Sequence, residues 1–524
     1  MIAPTQLPTQ PYAELGIWSD RTLGSYLHDT AASSPNAVAL VEGTARLSYA
    51  ELARRVNEAA AGLAGVGVGA HDVVCVVLPN WWEAMVAMQS ILSMGAVVNP
   101  VVPIYRDREV GFIVKECRPR VVIVPHRFRR FDYVEMMQRI VAESGEQMTV
   151  VVVRPEGPLP QGFVAWGELL GSGAAAPASV APGDIALLLY TSGTTADPKG
   201  VLHSHQTLDY ENRSIISLLE LTTDDTVFMP SPITHITGFL YGVLMPAMTG
   251  ATCVLLAEWD PVVAHRLIED ERCRFTLAAT PFLAGLLEQY ERIGTRSALR
   301  SFPCGGADVP PELIRRAREV MGTDVVRVYG SSEFPTVSCG GPSDSERIDA
   351  ETDGRLIGPV DARVDQPIDG VGELLVRGPE MFLGYLATAL NRDAFTPDGF
   401  FRTGDLASLD DGNAVTIRGR LKDIINRGGE KISAKEVEDL LFEHPSVREV
   451  AVVAMPDPKL VERVCAFVVP EPHTKPVDLP ELCAFLEDRR IARQKLPERL
   501  VLIDALPKTA SGKVQKFVLR EQVQ

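Results

Sequence analysis

No two of the eight cysteines stand in a C-x-x-C pair. Cys75, Cys117, Cys253, Cys273, Cys304, Cys339, Cys465 and Cys483 are scattered through apolar segments, which excludes a zinc framework or disulfide scaffold and reads as reduced, intracellular thiols. Long hydrophobic runs are missing as well: no apolar stretch approaches the roughly 18 residues that span a bilayer. The opening MIAPTQLPTQPYAELG carries neither the basic nor the apolar region of a secretion signal, so the expected location is cytoplasmic, with no membrane span. Positive charge is in deficit. With 51 Lys and Arg against 68 Asp and Glu the net charge is −17, which argues against nucleic acid or an anionic membrane surface as a partner. Walker A, G-x-G-x-x-G and G-x-S-x-G patterns do not occur, nor does an internal repeat. What is left, 46% hydrophobic and 23% charged residues over 524 positions, is ordinary globular composition. Function must then lie in local sites, and any polyanionic ligand needs a locally basic pocket.

Short β-branched runs alternate with helical patterns at Val73–Leu78, Trp81–Met94, Ala96–Pro103, Asp107–Cys117 and Arg120–Val124. Strand, helix, strand in this order predicts parallel pairing with right-handed crossovers. A stretch of linker composition, Gly171–Asp184, leads into the apolar strand Ile185–Tyr190, and a second α/β half follows with strands near Ala251–Leu256, Phe275–Ala279 and Val325–Tyr329. From about Val337 to Ile417, short strands punctuated by Gly, Pro and Asp predict a small β layer or barrel. Past Arg420, Ser433 and Glu436 form a capping box opening a helix. Strands near Val450–Ala454 and Val464–Val469 and a helix near Pro480–Arg490 complete an α+β module. The expected fold class is α/β, with a large N-terminal domain over 1–420 made of two doubly wound α/β halves plus a small β-barrel layer. A small α+β domain occupies 421–524.

Directly after the buried strand stands Tyr190-Thr191-Ser192-Gly193-Thr194-Thr195-Ala196-Asp197-Pro198-Lys199-Gly200. Its hydroxyls, the amides freed by glycine and the Lys199 ammonium are donors suited to phosphate oxygens in an anion-binding concavity. Further along come Ser231-Pro232-Ile233-Thr234-His235-Ile236-Thr237-Gly238-Phe239, then Cys304-Gly305-Gly306-Ala307 closing a strand, and Tyr329-Gly330-Ser331-Ser332-Glu333. Phe401-Arg402-Thr403-Gly404-Asp405, the stretch from Gly419 to Glu430 and Pro507-Lys508-Thr509-Ala510-Ser511-Gly512-Lys513 follow. In this order the segments resemble the adenylate-forming superfamily of acyl-CoA synthetases, luciferases and peptide-synthetase adenylation domains. THITGFLYG, RGGEKISAKEVE and the C-terminal tail are similar to acyl-CoA synthetases of the cyclohexanecarboxylate and medium-chain kind.

The resemblance implies an ATP-dependent acid–CoA ligase: acid and ATP give acyl-adenylate and pyrophosphate, and coenzyme A then takes the acyl group and releases AMP. It assigns the triphosphate to Lys199 with Thr191, Ser192, Gly193, Thr194 and Thr195, and the adenine side to Gly305, Gly306, Ala307 and the stacking ring of Tyr329. In the turn of Gly330 and Ser331, the Ser332 hydroxyl meets the α-phosphate and Glu333 binds Mg²⁺, for which one carboxylate suffices because the ion retains water and takes phosphate oxygens. Asp405 accepts the ribose hydroxyls and Arg420 contacts the nucleotide. His235 lines the acyl pocket and gates thiol access, with Phe239, Cys304 and the stretch from Phe334 to Val337 around the acid. Lys422 is the pivot of a mobile C-terminal domain, Gly428 and Gly429 let backbone pass close to the pantetheine arm, and Lys513 is the catalytic lysine. Ala196 stands where the family usually has glycine, which keeps open a ligase that accepts a preformed acyl-adenylate without using ATP. A nucleotide-binding protein without turnover is the other alternative. Oligomeric state, a homodimer included, is not legible.

Overall fold

The computed structural model describes residues 12–171, 180–191, 198–307, 309–342, 344–428, 430–472, 477–509 and 512–523. Its first sheet has seven strands in the order Lys199–Ser204, Ile185–Thr191, Val97–Pro100, Val73–Val76, Val121–Pro125, Thr149–Val153 and Phe163–Ala165. Neighbours run parallel except the first pair. The central strands are buried along their whole length, which is why they read as unbroken Val and Ile runs rather than as alternation. Helix Asp107–Cys117 buries Val110, Ile113, Val114 and Cys117, one stripe at helical spacing, against this sheet. The Glu109 carboxylate accepts the Arg106 N–H at 3.0 Å and closes the helix start. The strand expected over Ala96–Pro103 ends at Pro100, since proline cannot donate to a ladder.

The second sheet runs from the hairpin Val38–Glu42 and Ala45–Ser48 through Cys253–Leu255 to Val227–Met229. Single bridges at Phe275 carry it on to Ser301–Gly305, Asp324–Tyr329 and beyond. A four-stranded antiparallel sheet, Asp361–Ile368, Val371–Arg377, Phe401–Leu409 and Val415–Arg420, follows in sequence. Its last strand stops at Arg420, and strand Ile424–Arg427 already belongs to the C-terminal sheet with Glu430–Ser433, Val461–Pro470, Val447–Asp457 and Arg499–Leu502. That module has its own core of Ile425, Ile432, Val437, Leu441, Val452 and Val464. Ser433 Oγ accepts the Glu436 N–H at 3.4 Å and caps helix Ala434–Phe442 where the sequence predicts it. The chain is thus an α/β protein with a large N-terminal part and a smaller α+β C-terminal part. Among the described residues no helix is long and apolar enough to cross a membrane.

Candidate active site

A cavity of 1880 Å³ opens where the strand ends of the α/β halves, the antiparallel sheet and the C-terminal module meet. Lys199, His235, Tyr329, Asp405, Arg420 and Lys513 all line it. Tyr329 ends the strand Asp324–Tyr329, and its hydroxyl donates to Asp405 Oδ2 at 2.7 Å. Asp405 and Arg420 face each other across adjacent antiparallel strands, and Arg420 Nε reaches Asp405 Oδ1 at 3.0 Å. Burial and the Asp405 charge hold the Tyr329 phenol well above its usual pKa. The ring is therefore fixed by its own proton. Each Asp405 oxygen, with one such partner, keeps a lone pair for a further donor. Beside them Gly305 closes its strand where a Cβ would come within 2.2 Å of Val328 O, and Gly306 turns the chain at φ +76°. Ala307 completes the turn at the cavity wall.

The turn after Tyr329 is held from inside. A Cβ on Gly330 would lie 1.8 Å from Pro335 O. Ser331 donates its N–H to Phe334 O at 2.8 Å, while its Oγ accepts the N–H groups of Glu333 and Phe334 at 3.2 Å. The Ser332 carbonyl accepts from His203 Nε2 at 2.8 Å, and His203 Nδ1 lies 3.1 Å from Thr207 Oγ1. His203 is fully buried, and burial lowers its pKa to about 4. Glu333 then faces the cavity, and its Oε1 accepts the Tyr385 hydroxyl at 2.8 Å. Tyr385 arrives through backbone pairing with strand Lys199–Ser204: it bridges Val201, and Leu386 N–H donates to Gly200 O at 2.8 Å. The same ring lies 5.1 Å from Lys199 Nζ. Thr191 and Lys199 are directly paired in register, so the two ends of the hydroxyl-rich loop meet at the cavity mouth. Ser192, Gly193, Thr194, Thr195 and Ala196 lie outside the described residues.

Tyr385→Phe keeps the ring under Lys199 and removes the hydrogen bond to Glu333. Given roughly 1.5–3 kcal/mol for a hydrogen bond to a charged group, the apparent KM for the ATP that the resemblance implies is expected to rise about tenfold or more with kcat less affected. Steady-state kinetics varying the nucleotide would show it, and equal kinetics would remove Tyr385 from the site.

On the far side, His235 precedes the short helix Ile236–Gly238 and the π-helical turn Phe239–Leu244, its N–H bonded to Pro232 O at 2.9 Å. Burial first, and the Lys513 ammonium second, push the imidazole down to about 4, so it is neutral at physiological pH. Lys513 sits in a turn closed by Thr509 N–H to Lys513 O at 2.8 Å and Lys513 N–H to Thr509 Oγ1 at 3.1 Å. Gly512, at φ +84°, packs where a Cβ would lie 2.6 Å from Pro281 Cγ. Glycine is what lets this loop of the C-terminal module seat against the large one. Lys422 lies in the one-turn helix Leu421–Asp423 between the two sheets, its ammonium lowered to about 8 by desolvation and by Arg420. Gly428 turns the hairpin after Ile424–Arg427 at φ +61°, donating to Leu460 O at 2.6 Å. Gly429 is outside the described residues.

A family model described as AMP-binding enzyme matches residues 27–386, and one described as AMP-binding enzyme C-terminal domain matches 436–513. The chain belongs to the AMP-binding enzyme family. A medium-chain fatty-acid–CoA ligase of Escherichia coli (strain K12) is 34% identical over 98% of this chain and 92% of its own length. A Streptomyces salicylyl-CoA synthase / salicylate adenylyltransferase is 36% identical over 98% and 95%. The crystal structure of ATP-bound MatB from Rhodopseudomonas palustris superposes with a TM-score of 0.85 at 26% identity, covering 96% of this chain and 99% of that one.

In this AMP-binding enzyme most of the described residues singled out from sequence converge on one cavity, but Gly428 and four residues expected around the acid do not line it. Phe239, Cys304, Phe334 and Val337, expected around the acid, are at most 1% exposed and pack into the surrounding hydrophobic cores. Neighbours on the same segments, among them Leu240, Tyr241, Pro335 and Thr336, line the cavity instead. Choosing the wall residue from a motif fails by one position, because the π-helical turn and the Pro335 bend decide which side chain faces inward. Tyr385 has no motif around it and was not legible. His203 was visible as part of H-x-H with His205, and its use as a backbone clamp required the fold.

Proposed function

We propose that this AMP-forming acid–thiol ligase is a cytoplasmic enzyme that activates a medium-chain, alicyclic or polycyclic carboxylic acid with ATP and transfers it to coenzyme A. One observation carries the reading. The Tyr329–Asp405–Arg420 cluster, the Glu333–Tyr385–Lys199 cluster and the pair His235 and Lys513 meet in a single cavity to which two modules contribute. A carboxylate is a poor acyl donor because its leaving group would be oxide. Attack of its oxygen on the α-phosphorus forms one P–O bond and breaks another, releasing pyrophosphate and leaving AMP as a good leaving group. The protein's part is to align two anions and neutralise the charge that develops.

Asp405 and Arg420 would hold the ribose end, with Tyr329 flat against the base. Lys199 and the hydroxyl loop would hold the β- and γ-phosphates, and Lys513 would lie between the acid carboxylate and the α-phosphate. The neutral His235 adds no second positive charge beside Lys513 and leaves a path for an uncharged thiol. Among the described residues no three His, Cys, Asp or Glu groups converge as a metal cage. Glu333, with one oxygen held by Tyr385, fits a Mg²⁺ that brings phosphate and water oxygens with it, and that ion would supply charge neutralisation at the triphosphate. The chain divides between 420 and 421, and rotation about Lys422 would withdraw Lys513 and bring the Gly428–Gly429 turn to the cavity for the thiol step. The Escherichia coli medium-chain fatty-acid–CoA ligase and the Streptomyces salicylyl-CoA synthase, both named for CoA esters, support coenzyme A as acceptor.

A panel of octanoate, cyclohexanecarboxylate and salicylate, assayed separately for pyrophosphate, AMP and acyl-CoA, tests the reading. Pyrophosphate release with acid and ATP before coenzyme A is added, followed by acyl-CoA on its addition, is the expected result for one or both of the first two. Acyl-CoA formed only from a supplied acyl-adenylate would overturn the ATP step.

A further inference from the structure

Helix His205–Leu218 buries a carboxylate behind the acid end of the cavity. Glu211 is 1% exposed, and its Oε1 accepts both the Tyr241 hydroxyl at 2.6 Å and the Thr336 hydroxyl at 2.7 Å, the two hydroxyl oxygens lying 3.0 Å apart. Tyr241 comes six residues after His235 and Thr336 four residues after Ser332. The two segments that carry groups of the reacting centre are thus tied to one oxygen further in, and both hydroxyl-bearing residues line the cavity. A second buried carboxyl, Glu380, is held well above the usual carboxylate range by burial first and by the nearby Glu211 second. Among the described residues no cation is paired with Glu211.

The chemistry of this triangle is one-sided. Both hydroxyl protons are committed to Oε1, so what Tyr241 and Thr336 keep for a ligand is acceptor lone pairs, with a negative charge one atom behind. A saturated chain end leaves nothing unpaired there, because the triangle is satisfied within itself. A ligand hydroxyl or amine would gain an acceptor. A ligand carboxylate would meet a like charge in a dry wall with no cation to offset it. We propose that Glu211, acting through Tyr241 and Thr336, is a specificity-determining residue that admits acids whose distal end is apolar or a hydrogen-bond donor and rejects acids bearing a second carboxylate. This rests on reading the cavity beyond His235 as the acyl site.

The test uses matched acids from hexanoate to decanoate: the monocarboxylate, its terminal hydroxy acid and its terminal dicarboxylate. kcat/KM for pyrophosphate release is measured at mildly alkaline pH, above the value of about 7 to which burial raises Glu211. The wild-type enzyme is expected to disfavour the dicarboxylate by about 100-fold or more against the monocarboxylate. Glu211→Gln, nearly the same shape without the charge, is expected to narrow that ratio by about tenfold with KM for ATP unchanged. Tyr241→Phe is expected to weaken the hydroxy acid selectively, and it carries the test if Glu211→Gln does not fold. An unchanged ratio in these variants, or an equal fall for all three acids, overturns the proposal. A wild-type enzyme that releases pyrophosphate with none of the monocarboxylates defeats the underlying reading of the acyl site instead.

Discussion

Lys513→Ala is expected to lower pyrophosphate release from acid and ATP by about 10²–10³-fold, the loss typical of removing one donor aimed at developing charge. Thioester formation from a supplied acyl-adenylate should stay within about tenfold of wild type, because under the proposed rotation about Lys422 the lysine would have left the cavity in that half-reaction. The structure supports so uneven a result. The Thr509–Lys513 turn holds its own backbone through two hydrogen bonds that the substitution leaves in place. The ammonium does reach into the cavity, close enough to help depress His235. Single-turnover assays of the two half-reactions, run on the same preparation, decide it. Equal losses in both would mean that Lys513 is structural.

Gly512→Ala should produce the same asymmetry without touching a charged group. At φ +84° an alanine is strained by about 1–2 kcal/mol, and its Cβ would press into Pro281, which opens helix Thr280–Ile293 and cannot swing aside. Each 1.4 kcal/mol or so by which the seated arrangement is lost is about tenfold in rate. We therefore expect pyrophosphate release to fall about tenfold or more while thioester formation from supplied adenylate is spared. The thermal unfolding midpoint should move by only a few degrees, since the contact lies between modules and outside either core. Unaltered adenylation would show that the Gly512–Pro281 contact does not gate the first half-reaction.

The two predictions draw on different kinds of information. Lys513, Glu333, Asp405 and Lys199 were legible because the motifs that carry them resemble, in sequence and in order, those of the adenylate-forming superfamily. Gly512 was legible as a turn residue, but its partner Pro281 lies 231 positions away and nothing local announces the contact. The same holds for Tyr385 on Glu333, for His203 beneath Ser332 and for Glu211 behind Tyr241 and Thr336. In each case the contact joins a motif to a side chain on a separate segment that only the fold brings to it.

Local pattern determined the α/β class, the sites of most strands and helices and the capped start of helix Ala434–Phe442, while the order of motifs, through the family resemblance, pointed to the charged residues that line the cavity. The first three follow from side-chain period and turn chemistry, the last from motifs that resemble those of a known family. Only the tertiary structure decided which side chains face the cavity, which hold the motif residues in place and where the two modules touch. Those depend on which of two neighbouring residues a bend turns inward, and on contacts between positions hundreds of residues apart, neither of which is encoded in any short window of sequence.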